Sequence, residues 1–358
     1  MLRATLLICT SVLACAAWAE PTVDIRNSAI TILKEQAAFD AGTPSRYGLD
    51  GEIATLTRLL NGSELDEYSQ AIAHYYRAHA AMLNNHLRVR NRQKPDTDLA
   101  RRALEDYDWV IERNRDVRQM RVSVANAGYN AGTAARDFLN DTPRAYGYWR
   151  KCAQREHAGC MNLMASAKVT GEGGVGIDLP GALELHKQVY DTGTAYTCAG
   201  AYSALATAQI LYFSGAKGLT VGELDWLKCA DLLLEEVGAE RKWKSPCNRP
   251  RFKVTDYLMR LDRGEDRRSV LAGVAETAEE PEEKVTVGYL LGAVPEAAFR
   301  EAAARGGDTE VVCEMHFAAL WRAEIKKDEK ASQDHYRALS NLGHCATEIA
   351  LLKMKYRR

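Results

Sequence analysis

Residues 171–193 read GEGGVGIDLPGALELHKQVYDTG, and this stretch decides the fold. Its first six residues fit G-x-G-x-x-G, the glycine pattern of a dinucleotide-binding loop, which must follow a β-strand and open a helix. The residues before it, AGCMNLMASAKVT, are rich in Ala and Met and have a helical pattern without a β-branched apolar run. The sequence therefore predicts a glycine turn between two helices and no bound cofactor.

Two short patterns recur around this turn. D-x-P-x-A occurs at 141–145 and at 178–182, an offset of 37 residues, and W-x-K-C-A occurs at 149–153 and at 226–230, an offset of 77. Asp can cap the free N–H groups of a helix and Pro is tolerated in its first turn. A period near 38 residues indicates repeated helix pairs. The predicted fold is all-α, an αα-superhelix (solenoid) of antiparallel helix pairs.

The first helix of each predicted pair is rich in small residues, as in VANAGYNAGTAARDFL. Small residues let neighbouring helices approach closely, and the second helices carry larger apolar residues at helical spacing. Solenoids present an inner surface lined by the first helices. The candidate binding residues on that surface are Tyr129, Asn130, Asn162 and Tyr202.

Composition and charge exclude several classes of protein. The chain has 358 residues, of which 46% are hydrophobic and 27% charged, so it can build a core. The formal net charge of -1 gives no general attraction to nucleic acid. The basic run HLRVRNRQK at 86–94 is interpreted as a solvated loop. We therefore expect no nucleic-acid partner.

The N-terminus predicts export. MLR is a short positive segment, ATLLICTSVLA is an apolar run too short to span a bilayer easily, and Ala17 and Ala19 supply the small residues of a cleavage site. We predict a signal peptide at 1–19 and a periplasmic or secreted protein without a membrane span. VLAC at 12–15 also approximates a lipoprotein box, but its bulky Leu13 favours cleavage over a lipid anchor at Cys15.

Seven cysteines follow the signal segment, and in an oxidising compartment they are disulfide candidates first. Cys152 and Cys160 lie eight residues apart across a predicted helix–turn–helix junction, where their Cβ atoms can meet. The other two predicted pairs are Cys313–Cys345, on the last helix pair, and Cys229–Cys247. The count is odd, and Cys198 is the predicted unpaired cysteine.

Metal and catalytic readings of the same residues are less favoured. Cys313, His316, His344 and Cys345 could supply a zinc set, but adjacent helix residues such as His344 and Cys345 point about 100° apart. His157 beside Cys152 could suggest a thiol catalyst, but a cysteine in a disulfide is a poor nucleophile. The sequence contains no G-x-S-x-G or H-E-x-x-H. We predict no metal site and no enzyme.

The residues 173–193 resemble a Sel1-like repeat, a family with a G-x-G-V turn, an Asp, an Ala-containing second helix and a closing Gly. Gly173–Gly176, Asp178, Ala182 and Gly193 stand at the matching places. The segment AIAHYYRAHAAML with LARRALEDYDWVIERN is similar to a tetratricopeptide pair, with Ala103, Tyr107 and Val110 at its packing positions. The last helices give another pair after the acidic run AETAEEPEEK at 275–284, interpreted as a loop or linker.

These resemblances set the expected domains: signal peptide 1–19, tetratricopeptide-like helices 20–118, Sel1-like repeats 119–245, an irregular region with an acidic linker 246–309, and a C-terminal helix pair 310–358. The cysteine-rich Sel1-like subgroup staples adjacent helices with disulfides, as expected for Cys152–Cys160. The family implies an exported scaffold that binds another protein or peptide through its concave surface. The alternative is a cell-wall-related hydrolase of the β-lactamase-like type. This alternative is also implied by the resemblance to the cysteine-rich Sel1-like subgroup.

Overall fold

The computed structural model describes residues 20–40, 49–62, 64–91, 93–114, 116–118, 121–191, 198–215, 226, 229, 249–278, 281–306, 309–343 and 345–356. In these ranges the protein is all-helical, with sixteen α-helices and no β-strand beyond an isolated bridge between Val117 and Val122. The predicted all-α class is therefore confirmed. The predicted signal peptide at 1–19, with Cys15, lies outside the described residues.

The chain divides into two compact units, an N-terminal unit, Met1–Cys160, and a C-terminal unit, Met161–Arg358. The helices of the N-terminal unit pack mainly against their neighbours in sequence. They are α1 (Glu20–Asp40), α2 (Leu49–Gly62), α3 (Glu67–Arg90), α4 (Thr97–Glu112), α5 (Val124–Leu139) and α6 (Thr142–Ala153), and α7 (Ala158–Thr170) begins at the end of this unit.

Small residues set the helix spacing in the N-terminal unit, as the sequence predicts. Trp149 on α6 is fully buried, and a Cβ added at Gly132 on α5 would lie 2.2 Å from its Nε1. Gly132 therefore makes room for the indole ring, and any larger residue there would displace it. The expected packing residues of α4, Ala103, Tyr107 and Val110, are also buried.

The C-terminal unit is built around the fully buried side chains of Phe213, Phe299 and Trp321. Its described helices after α7 are α8 (Leu179–Val189), α9 (Cys198–Ser214), α10 (Arg249–Asp262), α11 (Ser269–Thr277), α12 (Pro281–Leu291), α13 (Glu296–Arg305), α14 (Thr309–Lys326), α15 (Glu329–Leu342) and α16 (Ala346–Tyr356). Helix α14 packs against α10, α12, α15 and α16, so it forms the centre of this unit.

The two D-x-P-x-A patterns start helices, as predicted. The side chain of Asp141 accepts a hydrogen bond from Arg144 N at the start of α6, and that of Asp178 accepts one from Gly181 N at the start of α8. Each helix has its proline in the first turn. Both caps thus satisfy N–H groups that the helix itself leaves free.

The GEGGVG stretch is a turn between α7 and α8, as predicted. Gly171, Gly173 and Gly174 have φ values of 80°, 63° and 72°, a backbone region that favours glycine. Residues 172–174 form a short 3₁₀ helix. The motif follows a helix, whereas a dinucleotide-binding loop must follow a β-strand.

Two regions differ from the expectation. The segment 246–309 was expected to be irregular, but its described part forms α10 to α13. The acidic run ends in a helix rather than a linker because Pro281 can open α12 and Glu282 and Glu283 occupy its first turn, where negative charge is favourable. The expected C-terminal pair is three helices, since Gly343, at φ 72°, ends α15.

Candidate functional site

A cavity lies between four helices of the C-terminal unit. Helices α9, α10, α12 and α14 line it, and its volume of about 40 Å³ suits the tip of one side chain or a few water molecules. Its walls combine apolar and polar side chains. The apolar ones include Val254, Leu258, Met315, Phe317 and Trp321, and the polar ones are Gln209, Arg251, Thr255, Glu283, Thr286 and Glu314.

Arg251 is the cation of this cavity and contacts three carboxylates. Its Nη1 lies 2.7 Å from Glu314 Oε1 and 3.7 Å from Glu310 Oε1, and its Nη2 lies 3.5 Å from Glu348 Oε1. The side chains of Arg251, Glu314 and Glu348 are between 11% and 19% exposed, whereas Glu310 is 78% exposed. One buried cation therefore faces more than one buried carboxylate, and Glu283 adds another carboxylate to the cavity wall.

This surplus of acidic groups changes their protonation. Burial raises the pKa of Glu314 to about 7, although Arg251 beside it acts to lower that pKa. Burial also raises the pKa of Glu348. Loss of hydration on burial is the main cause of both shifts, and the neighbouring carboxylates add to it. Near neutral pH, Glu314 can therefore exchange a proton, or it can ionise and form an ion pair with a cationic group.

The hydroxyl groups of the cavity already serve the scaffold. Thr286 Oγ1 donates to Glu282 O at 2.8 Å, and Thr255 Oγ1 accepts from Gln209 Nε2 at 3.3 Å. Neither hydroxyl therefore resembles an activated nucleophile, which needs an adjacent base. The arrangement is better suited to holding a positively charged group between carboxylates and apolar walls than to acyl transfer.

Two of the predicted binding residues, Tyr129 and Asn130, lie on α5 in the N-terminal unit. Both are half-buried. The Tyr129 ring lies 5.2 Å from the His157 ring, and Asn130 hydrogen-bonds the hydroxyl of the buried Tyr75. The structure gives both residues packing partners within their unit, and their role toward a ligand stays a prediction.

The other two, Asn162 and Tyr202, lie on α7 and α9 in the C-terminal unit. Asn162 Nδ2 donates to Ala199 O at 3.2 Å, and its Oδ1 accepts from Ser203 Oγ at 2.6 Å and contacts His186 Nδ1 at 3.0 Å. Asn162 therefore connects three helices. The Tyr202 ring instead packs 5.6 Å from the Phe252 ring. Neither side chain lines the cavity, but Tyr202 lies close enough to Arg251 to act to raise the pKa of its guanidinium group.

Two of the three predicted cysteine pairs are at disulfide distance. Cys152 and Cys160 join the end of α6 to the start of α7, with an S–S distance of 2.06 Å. Cys313 and Cys345 join α14 to the residue before α16, with an S–S distance of 2.04 Å. Both pairs are compatible with an oxidising compartment.

The third predicted pair, Cys229–Cys247, is wrong, because Cys229 is a free, half-buried thiol. Spacing along a chain does not fix whether two Cβ atoms meet, so connectivity could not be deduced from the cysteine count. Cys247 and the side chain of Cys198, which was the predicted unpaired cysteine, lie outside the described residues.

Sequence reasoning missed a three-residue ligand group. Cys152, His157 and Cys160 place one ligand atom each within 4.8 Å of one another, the only such group of His, Cys, Asp and Glu that the described residues contain. The signal was readable as C-x4-H-x2-C in CAQREHAGC. The zinc set considered at the C-terminus is not formed by its described members. There Cys313 pairs with Cys345, and His316 Nδ1 contacts His335 Nδ1 at 3.1 Å.

The cavity itself was also missed, because its members are distant in sequence. Arg251 lies 63 residues from Glu314 and 97 from Glu348. The only local signal was the i, i+4 spacing of Glu310 and Glu314, which places both carboxylates on one face of α14.

Comparisons with known proteins add no family to this geometry. No protein-family model matches the chain, and no curated protein matches it. Within the described ranges, every helix is too short or too polar to cross a bilayer.

Proposed function

We propose that the protein is an exported helical-repeat module that binds a protein or peptide and performs no catalysis. The proposal includes the Sel1-like and tetratricopeptide-like resemblance, the solenoid type of helix pairing, and a periplasmic or secreted location. Neighbouring helices that pack in pairs and two disulfides support it. The observation that carries it is the cavity around Arg251.

The chemistry of the cavity points to a basic side chain as its ligand. The volume of about 40 Å³ excludes a large ligand but admits the end of one side chain. Apolar residues such as Val254 and Leu258 suit a methylene stem, and Glu283 and Glu314 suit a cationic head. We therefore propose that a lysine or arginine of an extended peptide enters the cavity.

A displayed peptide library tests this specificity. The purified protein should select peptides that share a basic residue next to an apolar one, with an affinity that falls at high salt. Glu283→Gln removes a carboxylate that lines the cavity, so it should weaken binding of a selected peptide several-fold, as expected for a rim charge pair of about 1 kcal/mol.

The matched control is Glu282→Gln. Glu282 precedes Glu283 on α12 and is not part of the cavity wall. Glu282→Gln changes the net charge by the same amount as Glu283→Gln and should leave the affinity for the peptide unchanged within experimental error. Equal weakening by both variants, or a selection without basic residues, would contradict the proposed ligand.

A hydrolase is the second candidate, and Glu314 is the observation in its favour. A carboxyl group with a pKa near 7 is suited to general acid–base catalysis. A nitrocefin assay on the purified protein, with Glu314→Gln as the matched variant, separates the two candidates. Turnover that the variant abolishes would establish the hydrolase, and no turnover by either protein is what the binding module predicts.

A further inference from the structure

We infer that the disulfide at the α6–α7 junction hides a zinc site. When a dithiol reductant opens the Cys152–Cys160 bond, the two sulfur atoms and one imidazole nitrogen of His157 become the protein ligands of one Zn²⁺ ion. The fourth position of the tetrahedron is taken by water. This inference concerns the N-terminal unit and is independent of the proposed ligand of the cavity.

The positions of the three ligand atoms suit zinc. They lie within 4.8 Å of one another, and a tetrahedral zinc site with sulfur and nitrogen ligands needs ligand atoms roughly 3.5–4 Å apart. The two sulfur atoms, 2.06 Å apart in the disulfide, must therefore separate by about 1.7 Å, and the imidazole nitrogen must approach them by up to about 1.3 Å. Thiolate and imidazole are the ligands that zinc prefers, and two cysteines with one histidine and an open position also form known zinc sites.

The backbone holds the three residues together without the disulfide. Arg155 N donates to Cys152 O at 3.0 Å and Glu156 N donates to Ala153 O at 2.9 Å, which closes the turn after α6. Glu156 completes that turn with a φ of 57°. Only eight residues separate the two cysteines. The junction therefore keeps its geometry when the sulfur–sulfur bond opens.

His157 is prepared for the role of a metal ligand. Its Nε2 lies 3.0 Å from Asn126 Oδ1, and its Nδ1 accepts a hydrogen bond from Cys160 N at 3.3 Å. The tautomer with the proton on Nε2 therefore leaves the Nδ1 lone pair on the side of Cys160, where Zn²⁺ replaces the Cys160 N–H as its partner when the ion binds. An oxygen that receives the other N–H is the usual partner of a metal-bound histidine.

Opening the disulfide consumes two electrons and two protons. The dithiol supplies two electrons and two protons, becomes a disulfide itself, and leaves thiols on Cys152 and Cys160. Zn²⁺ then displaces one proton from each thiol, and both protons pass to the solvent. His157 contributes its lone pair without releasing a proton. Zinc binding should therefore release about two protons for each ion bound.

Cobalt(II) provides the test, because a tetrahedral thiolate complex of cobalt is coloured and zinc displaces it. The purified protein is reduced with a dithiol in urea, refolded under nitrogen without the reductant, and titrated with Co²⁺. We expect one strongly coloured site that Zn²⁺ bleaches. The unreduced protein, titrated in parallel, should show no such site.

Three variants locate the site. Cys152→Ser with Cys160→Ser should abolish the colour, whereas Cys313→Ser with Cys345→Ser should keep it. His157→Asn still forms the disulfide, so its fold can be checked by circular dichroism before reduction. It should weaken binding at least about tenfold. Equal colour in the unreduced protein, in the Cys152/Cys160 variant, or in His157→Asn at unchanged affinity would overturn the inference.

Discussion

A buried ionic cluster lies around Asp106 in the N-terminal unit and another around Arg251 in the C-terminal unit, and the two clusters have opposite charge ratios. In the N-terminal unit, the buried Asp106 accepts from Arg77 Nη2 at 2.7 Å and Nε at 2.8 Å, and contacts His74 Nδ1 at 2.6 Å. In the C-terminal unit, Arg251 faces Glu314 and Glu348. One carboxylate with two basic partners is satisfied. In the C-terminal cluster the order is reversed, because one arginine faces two carboxylates.

The two clusters therefore have different roles, one in the scaffold and the other in the candidate site. Arg77 contacts Asp106 through two nitrogen atoms, the geometry of a strong carboxylate pair, so the N-terminal cluster stabilises the contact between α3 and α4. Burial, more than the neighbouring carboxylates, raises the pKa of Glu314, so this group can gain or lose a proton near neutral pH. Such groups are more common at functional sites than in scaffolds.

The largest effect is expected from Arg251→Met. Arg251 acts to lower the pKa values of Glu314 and Glu348, so without it the folded protein at about pH 8 must either bury an unpaired carboxylate or take up protons, which should lower the free energy of unfolding by about 3–5 kcal/mol. Arg77→Met should cost less, because His74 still contacts Asp106. Urea unfolding of both variants measures the difference. A larger loss for Arg77→Met would reverse the comparison of the two clusters.

The next largest loss in the free energy of unfolding is expected from removing the disulfides. Replacing Cys313 and Cys345 by Ala opens a loop of 32 residues, and replacing Cys152 and Cys160 opens one of 8. Loop entropy predicts losses of roughly 3–4 and 2–3 kcal/mol, respectively, in the free energy of unfolding. Thermal and urea unfolding of the two double variants tests this order. The reverse order would mean that the junction at Cys152 contributes more than loop closure.

The last effect is a pH dependence that comes from Glu314. Its pKa of about 7 in the folded protein exceeds its ordinary value, so the folded state keeps a proton that the unfolded chain releases between about pH 5 and pH 7. This group therefore stabilises the fold at low pH, and its contribution is lost as the pH rises through 7.

Glu314→Gln isolates that contribution. The difference in the free energy of unfolding between wild type and variant should change by up to about 1.4 kcal/mol per pH unit in this window. Taking the difference removes the opposite trend from buried histidines such as His186 and His316, whose pKa values burial lowers to about 4. A difference that is constant with pH would show that Glu314 is ionised throughout.

The sequence was most informative where the physics is local. The caps at Asp141 and Asp178 and the positive φ of Gly171 depend on residues within one turn, so short patterns predict them. The pairing of Cys152 with Cys160 follows from a short junction in the same way. Gly343, which ends α15, is a local signal of the same kind, although the sequence analysis predicts a single helix pair in this region.

The candidate site could not be predicted because it depends on tertiary packing. Arg251 and Glu348 meet only after nearly a hundred residues of intervening chain have folded, and neither has a local pattern that identifies its partner. The predicted pairing of Cys229 with Cys247 is wrong for the same reason. Periodicity identifies helices, but it does not identify which helices meet.

The most direct test is to locate where a selected basic peptide binds. A photo-crosslinking group placed beside the lysine or arginine of that peptide should attach to residues of α10, α12 or α14 that line the cavity, as identified by mass spectrometry after proteolysis. Glu283→Gln should reduce that crosslink and Glu282→Gln should not. Crosslinks confined to residues 20–160, or unaffected by Glu283→Gln, would contradict the proposal that this cavity binds the peptide.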